Sequence, residues 1–189
     1  MERRLERKKV LDLKILYTLH ELKGKVEEIK IDGCRILVDS ERYDNFYYNG
    51  LTCVKCGLTA TYAAIEKTKG SKGYHINFYG VRPDGKEIVF TKDHIYPKSL
   101  GGFDTVDNFQ TMCACCNGRK GDKTDMTIDE AVEKGYTSYE RANIMAELNK
   151  ERELLKRLNK MVAVRNQNIS RLANEAHKVN PPISKKEYR

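Results

Sequence analysis

The sequence predicts an α+β protein, in which a small mixed core lies between an N-terminal helix with a hairpin and a long C-terminal helix. Three observations carry this prediction. Two C-x-x-C pairs stand about sixty residues apart in the middle of the chain. Alternating apolar residues, interrupted by Asp-Gly and Pro-Asp-Gly, are typical of strands joined by tight turns. Beyond residue 137, apolar residues recur at steps of four and three, which is typical of a helix with one apolar face.

Composition and charge narrow the class of protein. The chain has 189 residues, of which 40% are hydrophobic and 33% charged, and its net charge is +8. No apolar run approaches the ~20 residues of a membrane span, and the N-terminus does not resemble a secretory signal, so we expect an intracellular protein without a membrane partner. Residues 137–189 hold 12 Lys or Arg against 6 Asp or Glu. This surplus suits a polyanion such as nucleic acid, although a solvated basic helix face would explain it as well.

Residues 1–50 are interpreted as an N-terminal module of one helix and one hairpin. The hairpin is predicted over residues 26–38, because apolar residues alternate on both sides of Asp32-Gly33 and glycine tolerates positive φ. The helix is predicted near the N-terminus, where leucines stand among Lys and Arg: Leu5, Leu11, Leu13, Leu16 and Leu19.

Residues 51–125 are interpreted as the compact central domain. Residues 74–81 and 86–91 are predicted strands around the turn Pro83-Asp84-Gly85, and residues 92–97 suggest another strand. Residues 106–120 should begin extended and end in a short helix.

Residues 126–189 are predicted to be helical. Thr127 and Thr137 each precede a Glu by three residues, which is the spacing of a capping box. The apolar positions then form a heptad seam up to Pro181-Pro182, and this seam could join two copies of the chain or fold back on residues 1–22. Two charged residues, Glu151 and Arg165, interrupt the seam and weaken a simple parallel dimer. The apolar members are Ile144, Leu148, Leu155, Leu158, Val162, Ile169, Leu172, Ala176 and Val179.

The four paired cysteines predict a structural zinc site. Cys53 with Cys56, and Cys113 with Cys116, supply two knuckles that together complete a tetrahedral Zn²⁺ shell and leave no open position. Such a site contributes on the order of 10 kcal/mol to folding. Buried reduced thiols or a redox pair are the alternatives. Cys115 offers a second way to pair the later knuckle, and Cys34 is expected to be a strand residue.

A carboxylate, an imidazole and two amides stand close to this clamp in the sequence. Hydrolysis of a phosphodiester requires a base for water, a cation to neutralise charge, and rigid positioning. His94 can be the base, whereas Asp93 and an asparagine oxygen can hold Mg²⁺. The segments that carry these groups are KDHIYPKSLGG (92–102), Asp107-Asn108 and CACCNGRKG (113–121).

These segments closely resemble the HNH endonuclease family in its zinc-stapled ββα-metal form, over roughly residues 53–123. The resemblance implies that His94 is the general base and that Asp93 is the first ligand of a catalytic divalent ion. Asn117 matches the last position of the motif, which is His in some members and Asn in others, and would be the second ligand. Asn108 matches the middle Asn, which steadies the loop bearing the base.

The family's chemistry implies in-line attack on DNA with Mg²⁺ or a similar ion, leaving a 5′-phosphate and a 3′-hydroxyl; RNA is also a candidate substrate. Lys98, Arg119 and Lys120 would contact phosphates. Phage, homing and restriction or defence nucleases all resemble this pattern.

Two other classes of function fit parts of the sequence. A non-catalytic zinc module that binds nucleic acid would need only the cysteine clamp and the basic tail. An assembly or adaptor protein would need only the C-terminal helix. Neither requires Asp93, His94 and Asn117 together, and this combination favours the enzyme.

Overall fold

The computed structural model describes residues 5–68 and 73–179, and it has the mixed α+β composition and the long C-terminal helix that the sequence predicts. Two compact units are present, Met1–Asn143 and Ile144–Arg189. The main elements are β1 (Leu5–Leu11), α1 (Ile15–Leu22), β2 (Glu28–Ile31), β3 (Cys34–Leu37), α2 (Glu41–Asn49), β4 (Tyr62–Thr68), β5 (His75–Val81), β6 (Glu87–His94), β7 (Phe109–Cys113), α3 (Ala114–Lys120), α4 (Ile128–Glu133) and α5 (Tyr139–Val179).

Five strands form an antiparallel sheet in the order β1-β4-β5-β6-β7, and β2 and β3 form a separate hairpin. The hairpin confirms the predicted Asp-Gly turn, since Asp32 and Gly33 have φ of 48° and 75°. Positive φ at both central residues is the geometry of a type I′ turn. The predicted strands around residues 83–85 are also present as β5 and β6.

The predicted helix near Leu5 is wrong, because residues 5–11 form the edge strand β1 and helix α1 begins only at Ile15. A buried charge accounts for the difference. Glu66 in β4 is 1% exposed, and its Oε1 accepts a 2.7 Å hydrogen bond from Arg7 Nε of β1. Asn77 and Tyr79 each donate to the other oxygen at 2.7 Å. Removing one partner of such a buried carboxylate is costly, so the long-range ion pair outweighs the local helical pattern.

The core of the first unit lies between the sheet and helices α1 and α2. Leu19, Phe46, Phe78 and Phe90 are among its fully buried members. Helix α2 is fixed to β7 by two side-chain amides. Asn45 Nδ2 donates to Thr111 Oγ1 at 3.0 Å, and Asn49 Nδ2 donates to the Phe109 carbonyl at 3.1 Å. This packing gives the β6–β7 hairpin a rigid support.

One of the two predicted capping boxes is confirmed. Thr127 and Glu130 form both reciprocal bonds at the start of α4. The box at Thr137 is wrong, because Thr137 is buried and its hydroxyl donates to the Gly101 carbonyl at 2.8 Å. Ser138 takes its place one residue later, where its Oγ accepts from Arg141 N at 3.3 Å.

Helix α5 has 41 residues and is therefore about 62 Å long at about 1.5 Å per residue. Residues 151–175 are exposed throughout. Pro181-Pro182, the predicted helix stop, lies outside the described residues. Among the helices that the structure describes, none has the length and apolar character needed to cross a membrane.

Candidate metal centre and active site

Four cysteine sulfurs come together beside the β6–β7 hairpin. The Sγ atoms of Cys53, Cys56, Cys113 and Cys116 all lie within 4.8 Å of one another, and those of Cys56 and Cys113 are 3.8 Å apart. A tetrahedral zinc ion with Zn–S bonds of about 2.3 Å requires sulfur pairs separated by about 3.8 Å. The four cysteines could therefore hold a zinc ion. Their all-sulfur donor set suits zinc and closes the coordination shell.

The fifth and sixth cysteines lie outside this cluster. Cys115 is exposed and lies next to Cys116 in the sequence, but its sulfur is not among the clustered ones. Cys34 lies in β3 as expected. Cys113 ends β7, and Cys116 lies in the first turn of α3. The turn between strand and helix brings residues 113 and 116 into one knuckle.

The electrostatics of the cluster favour a cation. Burial acts to raise the pKa of the Cys53 thiol, but backbone N–H groups of Cys113, Cys56 and Lys55 lower it to about 7. Burial, together with the neighbouring thiols, raises the pKa of Cys113 to about 12. Four thiolates in so small a volume repel one another, so their joint ionisation requires a bound positive ion.

The cluster joins a distant segment to the hairpin. Gly57 N donates to the Cys53 carbonyl at 2.9 Å and closes the first knuckle, whose Val54 N donates to the Thr111 carbonyl of β7 at 3.1 Å. Gly57 has φ of 72°, which favours glycine at this turn. Residues 53–57 are thereby attached to the strand that leads into α3.

His94 is the last residue of β6 and pairs across the sheet with Phe109. Its ring meets the Phe109 ring edge to face, with centroids 5.0 Å apart. Its Nε2 lies 2.8 Å from Asp104 Oδ1. Lys98 donates to the second oxygen of Asp104, and Lys92 Nζ lies 3.9 Å from the first. The imidazole is thus oriented by a carboxylate that two lysines accompany.

Asp93 and Asn117 both lie at the interface between β6 and α3, with different hydrogen-bond partners. Asp93 is 7% exposed, and its Oδ2 accepts from Gln110 Nε2 at 2.7 Å and lies 3.0 Å from Lys120 Nζ. Asn117 Nδ2 donates to Thr91 Oγ1 at 2.9 Å. Thr91 and Asp93 share a strand face because side chains alternate along a strand, and residues 117 and 120 share a helix face.

His94 belongs to the opposite side of the strand from Asp93, at its end. Among the described residues, no hydrogen bond joins His94 to Asp93 or Asn117. Lys120 connects the two sides, since its Nζ also donates to the His94 carbonyl at 2.7 Å. The structure therefore places Asp93 and Asn117 on the side of β6 that faces α3, whereas the His94 side chain lies at the strand end with Asp104 and Phe109 as its partners.

Asn108 is fully buried and braces the loop that follows His94. Its Oδ1 accepts from Tyr96 N at 2.8 Å, and its Nδ2 donates to the carbonyls of Tyr96 and Phe103 at 3.1 Å and 2.9 Å. Gly102 lies against the same group, where an added Cβ would stand 2.0 Å from the Tyr96 carbonyl oxygen. This close approach of two backbone segments explains the glycine at position 102.

The three basic residues expected at phosphates have intramolecular partners. Lys98 pairs with Asp104, Lys120 with Asp93, and Arg119 Nη2 lies 3.4 Å from Cys116 Sγ. Sequence reasoning missed Asp104, Gln110 and Thr91. Gln110 could be found only from the strand register, which sets it opposite Asp93. No spacing rule identifies Asp104, because a loop bond to His94 depends on the folded path.

Comparison with known families gives a match in this part of the chain. A family model described as HNH endonuclease matches residues 83–132. This segment belongs to the HNH endonuclease family. The HNH segment contains β6, β7, α3 and the later cysteine knuckle, whereas Cys53 and Cys56 precede it. Searches of curated proteins and of solved structures gave no match to the chain. The match over this segment points to nuclease activity on a nucleic acid.

Proposed function

We propose that the protein is a metal-dependent endonuclease that hydrolyses phosphodiester bonds in DNA. The observation that carries this proposal is the oriented imidazole of His94, bonded to Asp104 at 2.8 Å within the HNH segment. An imidazole fixed by an acceptor on one nitrogen is arranged to take a proton on the other. We further propose that β6, β7 and α3 are the family's ββα-metal core, stapled by zinc at the four clustered cysteines.

Asp104 determines which nitrogen of His94 is available. Hydrogen bonding from Lys98 lowers the pKa of Asp104, burial opposes this, and His94 lowers it further. The carboxylate is therefore ionised at neutral pH and accepts a hydrogen bond from Nε2–H. The lone pair then lies on Nδ1 and can take a proton from water as the water oxygen attacks phosphorus.

Asp93 and Asn117 would hold the catalytic ion. Fixing Asn117 Nδ2 on Thr91 leaves Asn117 Oδ1, which accepts no hydrogen bond from the described residues, as a ligand for a hard cation. The Lys120 ammonium lies 3.0 Å from Asp93 Oδ2, and its positive charge compensates the negative charge of this carboxylate. When bound, Mg²⁺ or a similar ion neutralises charge on the phosphate and on the departing oxygen. Asn108 holds the loop after His94 in position.

The direct test is incubation of the zinc-loaded protein with supercoiled plasmid. Nicked or linear DNA should form with Mg²⁺ and should disappear when EDTA removes it, with zinc content measured in both samples. Single-stranded DNA and RNA of matched sequence are tested in parallel. If the protein binds the plasmid but does not cleave it with any of several divalent ions, the proposal is contradicted. A zinc-dependent binding protein is then favoured. Cleavage of RNA alone would contradict the choice of DNA.

Replacement of Asp104 by asparagine is expected to lower the cleavage rate constant roughly 100-fold with little change in stability. The amide is a weaker acceptor and also offers a donor, so the imidazole no longer keeps Nε2–H and a free Nδ1. Asp107→Asn is the matched control, because Asp107 lies in the same loop and is exposed. Equal rates for the wild type and Asp104→Asn in single-turnover cleavage would remove Asp104 from this role.

A further inference from the structure

Helix α5 leaves an apolar face exposed over most of its length. Seven residues of the predicted seam are 39–58% exposed: Ile144, Leu148, Leu155, Leu158, Val162, Ile169 and Leu172. Most of the stability of such a helix comes from covering its apolar face rather than from intrinsic propensity. A long amphipathic helix with this seam is therefore expected to have a partner.

The charged residues in the seam indicate which partner fits. In the heptad that the apolar residues define, Glu151 and Arg165 occupy equivalent core positions fourteen residues apart. A parallel, in-register pair would place Glu151 against Glu151 and Arg165 against Arg165. Like charges opposed at core positions are destabilising, because their desolvation gains no compensating attraction.

In an antiparallel pair of two copies, Glu151 of one copy approaches Arg165 of the other, so opposite charges replace the like charges of the parallel pair. A two-fold axis between residues 155 and 158 stacks Leu155 on Leu158 of the second copy, and it brings Glu151 within one core layer of that copy's Arg165. An axis between residues 158 and 162 has the same consequence. By symmetry each dimer gains two such charge pairs, so the face is complementary to itself under a two-fold operation.

We propose that the protein self-associates through α5 in an antiparallel arrangement centred near Leu158. This inference goes beyond the proposed hydrolysis and does not depend on it. It rests on the exposed apolar face together with the opposite charges at Glu151 and Arg165, which are placed about equally far from the centre.

The test is sedimentation equilibrium of the full zinc-loaded chain under reducing conditions. The wild type should be a dimer. Glu151→Arg alone and Arg165→Glu alone should each weaken dimerisation roughly tenfold, since each opposes like charges at both pairs. The double variant exchanges the charges and should return the dissociation constant to within about threefold of the wild type. Glu153→Arg is the matched control, because position 153 lies opposite the seam and its dimer should be unchanged.

Two results would overturn the proposal. A wild type that stays monomeric from roughly 1 to 100 µM would contradict self-association through α5. A dimer whose dissociation constant changes in neither Glu151→Arg nor Arg165→Glu would indicate parallel pairing. In a parallel dimer each substitution only replaces one like-charged pair by another.

Discussion

His94→Ala is expected to reduce the rate constant of DNA cleavage by at least roughly 10³-fold while zinc content and folding are retained. The variant removes the group proposed to accept the proton from water, and general-base catalysis typically contributes 10²–10⁴-fold. The ring lies at the end of β6 and contacts Phe109 at its edge, so its removal disturbs little of the core. Single-turnover cleavage with Mg²⁺, together with thermal unfolding, measures both effects.

The control for this variant is His75→Ala. His75 also lies on a strand, β5, but belongs to neither the β6–β7 hairpin nor α3. Its replacement should leave the cleavage rate within about threefold of the wild type, since it belongs to none of the proposed proton or metal contacts. Wild-type activity from a folded His94→Ala protein would contradict the assignment of the base. Equal losses in both variants would indicate a general loss of structure.

Cys113→Ser is expected to weaken zinc binding by more than about 100-fold and to abolish cooperative unfolding of the first unit. Changes to groups that merely support a metal ligand already cost 10–100-fold, and loss of a ligand sulfur should cost more. Zinc binding contributes on the order of 10 kcal/mol to sites of this kind. Titration with a competing chelator and calorimetric unfolding measure the two effects. Chelation of zinc from the wild type should have the same thermal consequence.

Cys115→Ser provides a control only two residues away. Cys115 is exposed and does not belong to the sulfur cluster, so its replacement should alter neither zinc stoichiometry nor the unfolding temperature. Loss of zinc in Cys115→Ser and its retention in Cys113→Ser would reverse the ligand assignment. Retention in both variants would show that the cluster does not bind zinc through these sulfurs.

The sequence predicted the features that depend on residues close to one another along the chain. The Asp32-Gly33 turn, the Thr127 capping box and the two cysteine knuckles follow from backbone preferences or short spacings, and the structure has all three. The approach of one knuckle to the other could also be predicted, because four such sulfurs share one favourable arrangement around a single ion.

Features that depend on distant partners could not be predicted. Residues 5–11 have a helical pattern, but they form a strand in which Arg7 pairs with the buried Glu66, 59 residues further along the chain. Thr137 has the sequence spacing of a capping box, but its hydroxyl donates a hydrogen bond to the Gly101 carbonyl instead. The bond between His94 and Asp104 is of the same kind, since it depends on how the loop returns to the strand. In each case the outcome depends on a tertiary contact that no local pattern in the sequence encodes.

The division of the sulfur cluster between two segments bears on which residues a shortened version of this fold must keep. The stretch that matches the family model, residues 83–132, holds only two of the four clustered sulfurs, those of Cys113 and Cys116, whereas the other two come from the turn at residues 53–57. If residues 83–132 were moved into another protein, they would supply only two of the four sulfur ligands. A shortened version must therefore begin before Cys53. It must also keep β1, because Arg7 of this strand pairs with the buried Glu66.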